Sequence, residues 1–257
     1  MKSFITRSIF LIALANLLLQ ISVAQQTPPP NPPAAQQPQP ADKDKNVQDQ
    51  KTPDKNPDKP SEGTSKDRLF YALPNFLTLE NAGQVPPLTV GQKFKVVTRG
   101  SFDYIQIPWY ASLAGLSQAE NSEPGYGQGA EGYGKRFGAA FADGTIENYL
   151  TGAILPSLLR QDPRFFQSSK GGFWHRTGYA VSRIFVTRTD SGHEQFNYSE
   201  IVGSAMSSAI STYSYHPRAD RNLPNTASVW GTQVGIDTGT IVVKEFWPDI
   251  RRKLKKK

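Results

Sequence analysis

The chain of 257 residues contains no cysteine. This absence excludes disulfide bonds, a lipid-modified cysteine, thiol catalysis and thiolate metal sites. Histidine is scarce, with three residues, and the chain has no G-x-S-x-G elbow, no H-E-x-x-H helix and no phosphate-binding P-loop. The sequence therefore specifies no reaction, and burial rather than cross-linking must stabilise its fold.

Long apolar runs are also absent after residue 24, so no ordinary membrane span is predicted there. At the N-terminus, Lys2 and Arg7 precede an apolar run over 9–19, and Ser22-Val23-Ala24 has the small-x-small pattern of a cleavage site. The pattern predicts an export signal over 1–24 that is cleaved after Ala24. An uncleaved anchor is the alternative, because residues 8–24 are nearly long enough to span a bilayer.

Residues 25–67 lack aromatic side chains and contain ten of the twenty prolines. Such a segment cannot bury enough apolar surface to offset its chain entropy. We predict a disordered, partly polyproline spacer over 25–67.

The net charge of +7 is concentrated at the C-terminus. Residues 68–250 carry fifteen charges of each sign, whereas the last seven residues carry six bases and no acid. A basic tail over 251–257 predicts binding to an anionic membrane or envelope polymer, and a solvated tail is the alternative. Export makes nucleic acid an unsuitable natural partner. The residues concerned are Arg251, Arg252, Lys253, Lys255, Lys256 and Lys257.

Periodicity over 68–250 predicts a mainly α domain, a compact helical bundle with glycine and small-residue helix contacts. Helices are predicted over 133–161, with a kink at Pro156, over 198–213, and over 226–247 before Pro248. Residues 174–189 fit either a helix or the first arm of a hairpin that turns at 190–192. Residues 90–117 fit either a helix interrupted at Pro108 or two short strands.

Small residues recur every four positions in three of these segments. This spacing forms one row along a helix, on which another helix backbone can pack closely. We therefore predict helix contacts, and with them possible self-association, along rows formed by Ala227, Gly231, Gly235 and Gly239, by Ala130, Gly134, Gly138 and Ala142, and by Gly203, Ser207 and Ser211. The last helix also places its polar residues in one stripe and is predicted to be largely enclosed by protein or lipid. That stripe contains Gln233, Asp237, Thr240 and Lys244.

Candidate catalytic groups are scattered along the chain. A hydrolase would use Asp162, His175, Asp190, His193 or Asp237, and requires that they converge in one cleft. A metal site drawn from Asp190, His193 and Glu194 lacks distinctive spacing, and a hydrogen-bonded turn is the preferred interpretation. We predict neither a metal nor a cofactor.

The strings GYGKRFGAAFAD, LPSLLRQDPRFF, TRTDSG, WGTQVGIDTG and KEFWPDI together resemble an uncharacterised family of exported bacterial proteins. The resemblance covers residues 85–254. It implies a location in the bacterial envelope and carries over no activity and no catalytic residue.

The leading hypothesis is a non-catalytic envelope protein with a membrane-associated, structural or interaction role, in the periplasm or at the outer membrane. An envelope hydrolase acting on lipid or cell-wall material is the first alternative. An outer-membrane β-barrel is the second, supported by the hairpin pattern over 177–198.

Overall fold

A computed structural model describes residues 63–80 and 85–255. The predicted signal, most of the predicted spacer and the last two lysines lie outside the described residues. Within the described part the protein is mainly α, as predicted. The spacer boundary needs correction, because residues 63–67 join the fold. The Ser65 N–H donates to the Phe76 carbonyl at 2.8 Å, and the Asn75 N–H donates to the Asp67 carbonyl at 3.0 Å.

The described residues form six helices and seven short strands. The helices are α1 Val90–Ser101, α2 Gln106–Glu120, α3 Gly129–Tyr149 with a π-helical turn Leu150–Ile154 and a final α-helical turn Leu155–Leu158, α4 Phe173–Phe185, α5 Tyr198–Ser214 and α6 Leu223–Lys255. The strands are β1 Arg68–Leu69, β2 Leu73–Pro74, β3 Thr78–Leu79, β4 Gln161–Asp162, β5 Phe165–Phe166, β6 Val186–Thr189 and β7 Glu194–Phe196.

The strands form three small sheets. β1 and β2 pair antiparallel, β3 and β5 pair parallel, and β4, β6 and β7 form an antiparallel sheet in that order. Helices α2 and α3 pack on each other, and α4 and α5 both pack against α6. Residues 174–189 therefore combine both sequence interpretations, with a helix to Phe185 followed by one arm of a hairpin.

Residues 90–117 form helices rather than strands. The Thr89 side chain accepts from the Gln92 N–H, and the Gln92 side chain bonds back to the Thr89 N–H, so a capping box starts α1. Pro108 lies in the first turn of α2, where a backbone N–H has no intrahelical acceptor. Proline is tolerated there, and α2 continues to Glu120.

The predicted irregularity at Pro156 is a π-helical turn. Pro156 has no N–H to donate to the Gly152 carbonyl, and the wider turn Leu150–Ile154 lies directly before it. Gly152 lies within this turn, and a Cβ added there would be 2.7 Å from Val97 Cγ2. The turn therefore lets α1 approach α3 closely.

Helix α6 does not end before Pro248, and this corrects both the predicted helix end and the predicted tail. Pro248 leaves the Lys244 carbonyl without its normal i+4 donor. The Gln167 side-chain amide donates to that carbonyl instead. The Arg176 guanidinium also donates to the next carbonyl, of Glu245, at 2.5 Å. With these carbonyls satisfied from outside the helix, α6 continues to Lys255.

The interior of the helical layer is unusually polar. The buried side of α5 consists largely of hydroxyl groups, from Ser204, Ser207, Ser208, Ser211 and Thr212. The Trp230 indole N–H of α6 donates to Ser204 Oγ at 3.0 Å. Conversely, α5 exposes an apolar stripe formed by Val202, Met206, Ile210 and Tyr213. Helix α5 thus places its hydroxyl face inside and its apolar face outside.

Two of the three small-residue rows are exposed, which corrects the predicted helix contacts. A Cβ added at Gly231, Gly235 or Gly239 would have no atom within 4 Å, and the same holds at Gly134 and Gly138. Ala130 and Ala227 are exposed and Ala142 is half-buried. In α6 the physical reason is the polar stripe on the opposite side, which is turned toward α5 and the interior.

The third row packs closely. Gly203, Ser207 and Ser211 are buried. A Cβ added at Gly203 would be 3.0 Å from Thr151 Cγ2 and 3.2 Å from Leu155 Cδ1. A glycine is therefore needed where α5 crosses the end of α3.

The described helices contain no segment that is both long and apolar enough to span a bilayer.

Candidate functional site

The five catalytic candidates do not converge. Asp162 is buried and accepts from the Arg164 guanidinium at 2.5 Å, and Asp190 pairs with the buried ammonium of Lys93 at 2.9 Å. His193 and His175 are exposed on the β6–β7 hairpin and on α4. Asp162 lines a cavity of about 80 Å³, and Asp237 alone of the five lines one of about 250 Å³, called the larger cavity below.

The alternative metal set is not assembled either. Asp190 binds Lys93, and Glu194 binds Arg183 at 2.6 Å. His193 Nδ1 contacts the Ser191 hydroxyl at 3.2 Å, within the turn between β6 and β7. The described residues contain no group of three or more side chains suited to hold a metal ion. This cluster is therefore a hydrogen-bonded and ion-paired turn.

The larger cavity has a volume of about 250 Å³ and lies where several segments meet. Its walls come from the β2–β3 connection, α1, the start of α2, the end of α3 with its π-helical turn, the β4–β5 segment, α5 and α6. Its apolar side includes Phe76, Val96 and Val97. Its polar side receives Glu200 from α5 and the inward stripe of α6. The stripe residues that reach it are Asp237, Thr240 and Lys244.

Burial perturbs the carboxyl groups at this polar side. It raises the pKa of Glu200 to about 8, with the charge of Asp237 adding to the effect and Lys244 opposing it. Burial also raises the pKa of Asp237 to about 6, again opposed by Lys244. Glu200 and Asp237 lie within hydrogen-bonding range of each other, so the two carboxyl groups share a proton near neutral pH.

Two neighbouring groups complete the cluster. Burial raises the pKa of Glu147 on α3 to about 9, with Asp237 and Glu200 adding to the shift. Desolvation lowers the pKa of Lys244, and the charges of Asp237 and Glu200 oppose this. Lys244 is half-buried and lines the cavity together with Glu200 and Asp237, whereas Glu147 is not among its lining residues. Strongly shifted groups at one cavity are a typical feature of functional sites.

Two further polar atoms at this cavity lack hydrogen-bond partners in the described structure. They are Ser101 Oγ and Asn75 Oδ1, on residues that are 1% and 3% exposed. A buried polar atom without a partner costs about 1–3 kcal/mol. Each of these atoms exposes less than 1 Å² of surface, so they lie behind the cavity wall rather than on it.

Sequence reasoning identified Asp237 and its stripe but missed Glu147 and Glu200. The available signal was a lone carboxylate on a helix face that is otherwise apolar or hydroxyl-rich. Burying such a carboxylate is costly, so its presence there indicates a special role. Without the helix orientations, the meeting of α3, α5 and α6 at these residues was not predictable.

A separate buried pair involves His216, which follows α5. Its ring lies 3.3 Å from Glu123 and 3.6 Å from Asp143. Burial lowers the pKa of His216, but contacts with Asp143 and Glu123 outweigh this effect and raise it to about 9. The imidazolium therefore links the loop before α3 to α3 itself.

The second candidate surface, named here the aromatic–basic end, comprises Lys170, Phe173, Trp174, Lys253 and Lys255. Trp174 is 82% exposed and Phe173 is 59% exposed. The Phe173 ring stacks on Phe246 of α6 with centroids 5.2 Å apart. The start of α4 is thereby held beside the last turns of α6.

The basic residues at this end are not equivalent, which corrects the prediction of one uniform basic tail. Arg251 pairs with Asp67 at 3.0 Å and with Glu80 at 2.7 Å, and Arg252 pairs with Asp249. Lys253 and Lys255 are exposed and make no ion pair within the described part of the chain. Lys256 and Lys257 lie outside the described residues. Arg251 therefore joins α6 to the segment that contains Asp67 and Glu80.

No protein-family model, curated protein or solved structure matches the chain.

Proposed function

We propose that this protein is a non-catalytic envelope protein that attaches to an anionic membrane surface through the aromatic–basic end. The observation that carries the proposal is the exposure of Trp174 and Phe173 beside the basic last turns of α6. Tryptophan is enriched at membrane–water interfaces, where its amphipathic ring lies at headgroup level. The predicted export signal supplies the compartment for this role.

Contacts between α4 and α6 support the proposal. Phe173 contacts Phe246, and Arg176 of the same α4 turn binds Asp249 at 2.5 Å. Lys253 lies seven residues beyond Phe246, which is about 10 Å along the helix axis. Trp174 and Lys253 are therefore close enough to reach the same lipid headgroup layer.

The energetic contributions are of two kinds. A basic residue close to an anionic leaflet contributes about 1 kcal/mol, and the effect is screened by salt. Insertion of exposed aromatic surface adds a salt-independent contribution. Neither suffices for permanent attachment, so we expect reversible, peripheral and salt-sensitive binding.

Site-specific labelling tests this contact, because the chain has no native cysteine. His175→Cys in the full chain carries an environment-sensitive dye beside Trp174, and Ser122→Cys carries the same dye in the loop before α3. That loop adjoins residue 217, near the start of α6. We expect the emission of the dye at residue 175 to shift to the blue when vesicles that contain phosphatidylglycerol are added. Trp174→Ser, the double substitution Lys253→Gln with Lys255→Gln, and high salt should each reduce this shift.

The label at 122 is the matched control for vesicle binding through any other part of the chain, including its apolar N-terminus. It should respond little to the same vesicles. An unchanged spectrum at 175, or equal shifts at 175 and 122, would refute attachment through the aromatic–basic end.

A further inference from the structure

The larger cavity is unlike the other buried charged sites of the described structure, because its charges are not paired directly. Lys244 makes no hydrogen bond through its ammonium and has no carboxylate within 4 Å among the described residues. The carboxyl groups that act on it, those of Asp237 and Glu200, instead contact each other. The cavity is thus lined by an ammonium group and by a pair of carboxyl groups that make no direct ion pair with it.

The positions on α6 explain this separation. Asp237 and Lys244 are seven residues apart, which places them two turns apart on one face at an axial distance of about 10 Å. Thr240 lies between them and also lines the cavity. The two charged groups therefore line the same cavity at positions two helical turns apart.

The remaining walls define the rest of a ligand. Phe76, Val96, Val97 and Phe165 give the cavity an apolar side. Thr240 adds a hydroxyl group, which can donate or accept, to the polar side. A volume of about 250 Å³ admits a small molecule rather than a polymer segment.

We propose that this cavity binds a small zwitterion of the amino-acid class. Its ammonium group would contact the Glu200–Asp237 pair, its carboxylate would contact Lys244, and its short apolar part would lie against the valine and phenylalanine wall. Such a ligand supplies each unpaired group with a complementary partner. It also leaves the net charge of the cavity unchanged, which limits the cost of burial.

The test uses titration calorimetry on the full chain with matched probes. Leucine and 5-aminopentanoate carry both charges, 3-methylbutylamine carries the ammonium alone, and 4-methylpentanoate carries the carboxylate alone. We expect at least one zwitterion to bind at least tenfold more tightly than either singly charged probe. Absence of binding by both zwitterions, or equal binding by a singly charged probe, would overturn the proposal.

Variants assign the two contacts. Lys244→Met should remove the preference for the zwitterion over 3-methylbutylamine, and Asp237→Asn should weaken both by tenfold or more. Glu120→Gln, at an exposed site, should leave binding unchanged. Thermal unfolding of each variant establishes that it folds.

Thr240→Val provides a test that leaves every charge in place. Thr240 lines the cavity between Asp237 and Lys244, so removing its hydroxyl group should weaken zwitterion binding severalfold while the fold is retained. Unaltered zwitterion binding in Thr240→Val and Lys244→Met together would place the ligand outside this cavity and overturn the proposal.

Discussion

The buried charges near the middle of α6 and those toward its C-terminus differ in how they are compensated. Toward the C-terminus, Glu245 is 0% exposed and accepts from the Ser168 and Ser169 N–H groups and from Arg176. Nearby, the hydrogen bond from Arg176 holds the pKa of Asp249 below its ordinary value. Toward the middle of the helix, burial instead raises the pKa of Asp237. One helix thus contains a compensated ionic network and an uncompensated one.

The difference separates stability from ligand binding. A buried ion pair with complete hydrogen bonding fixes the geometry of the chain, here joining α4, the preceding loop and α6. Charged groups that face a cavity without direct partners reduce stability but remain available to a ligand. We therefore expect substitutions in the two networks to change stability in opposite directions.

The largest effect is expected in the compensated network. Glu245→Ala leaves the Arg176 Nε–H and two backbone N–H groups without their acceptor, so the free energy of unfolding should fall by roughly 3–5 kcal/mol. Urea denaturation measures this change, with the exposed Glu120→Ala as a control that should change by less than about 0.5 kcal/mol. A loss below about 1 kcal/mol for Glu245→Ala would remove the distinction between the two networks.

Glu147→Gln should have the opposite effect in the uncompensated network. The folded-state pKa of Glu147 is about 9, against an ordinary 4.5, so the folded state retains a proton that the unfolded state releases between these values. The free energy of unfolding therefore falls as pH rises from about 4.5 to about 9. Glutamine does not titrate, and the variant should be more stable at pH 8 by on the order of 1 kcal/mol.

Urea denaturation at pH 5 and pH 8 measures this contribution. Glu200, Asp237 and His216 also have raised pKa values, so a residual slope of the same sign should remain in Glu147→Gln. The His216 contribution is present below about 6.5 and is lost toward pH 9. An identical pH slope in Glu147→Gln and the wild type would contradict the assignment of a protonated Glu147.

Helix identity was predictable from local chemistry, whereas helix orientation was not. Periodicity and breakers indicated α5 nearly to the residue, and Pro156 correctly marked an irregular turn. Pro248 was misleading because the compensating donor, Gln167, is 77 residues away in sequence. Local rules contain no information on such a distant partner.

The candidate site shows the same limit. The stripe of α6 was evident from its spacing, but the sequence did not show that it faces Glu200 and the cavity. Similarly, the four-residue spacing of small residues put Gly203 and Gly235 in comparable rows, although only Gly203 packs against another helix. Small residues permit close contact on a helix face, and the orientation of that face depends on every neighbouring element.

Replacing Gly235 and Gly203 with alanine should reveal this difference as small changes in stability of opposite sign. Gly235 is in open space, so Gly235→Ala should gain helix propensity and raise the free energy of unfolding by up to about 1 kcal/mol. At Gly203 the new methyl group would press on Thr151 and Leu155, so Gly203→Ala should lower it by on the order of 1 kcal/mol. Urea denaturation at two protein concentrations measures both. A destabilising Gly235→Ala whose effect grows with protein concentration would mean that a second copy covers the row, and the exposed face of α6 would then be an assembly surface.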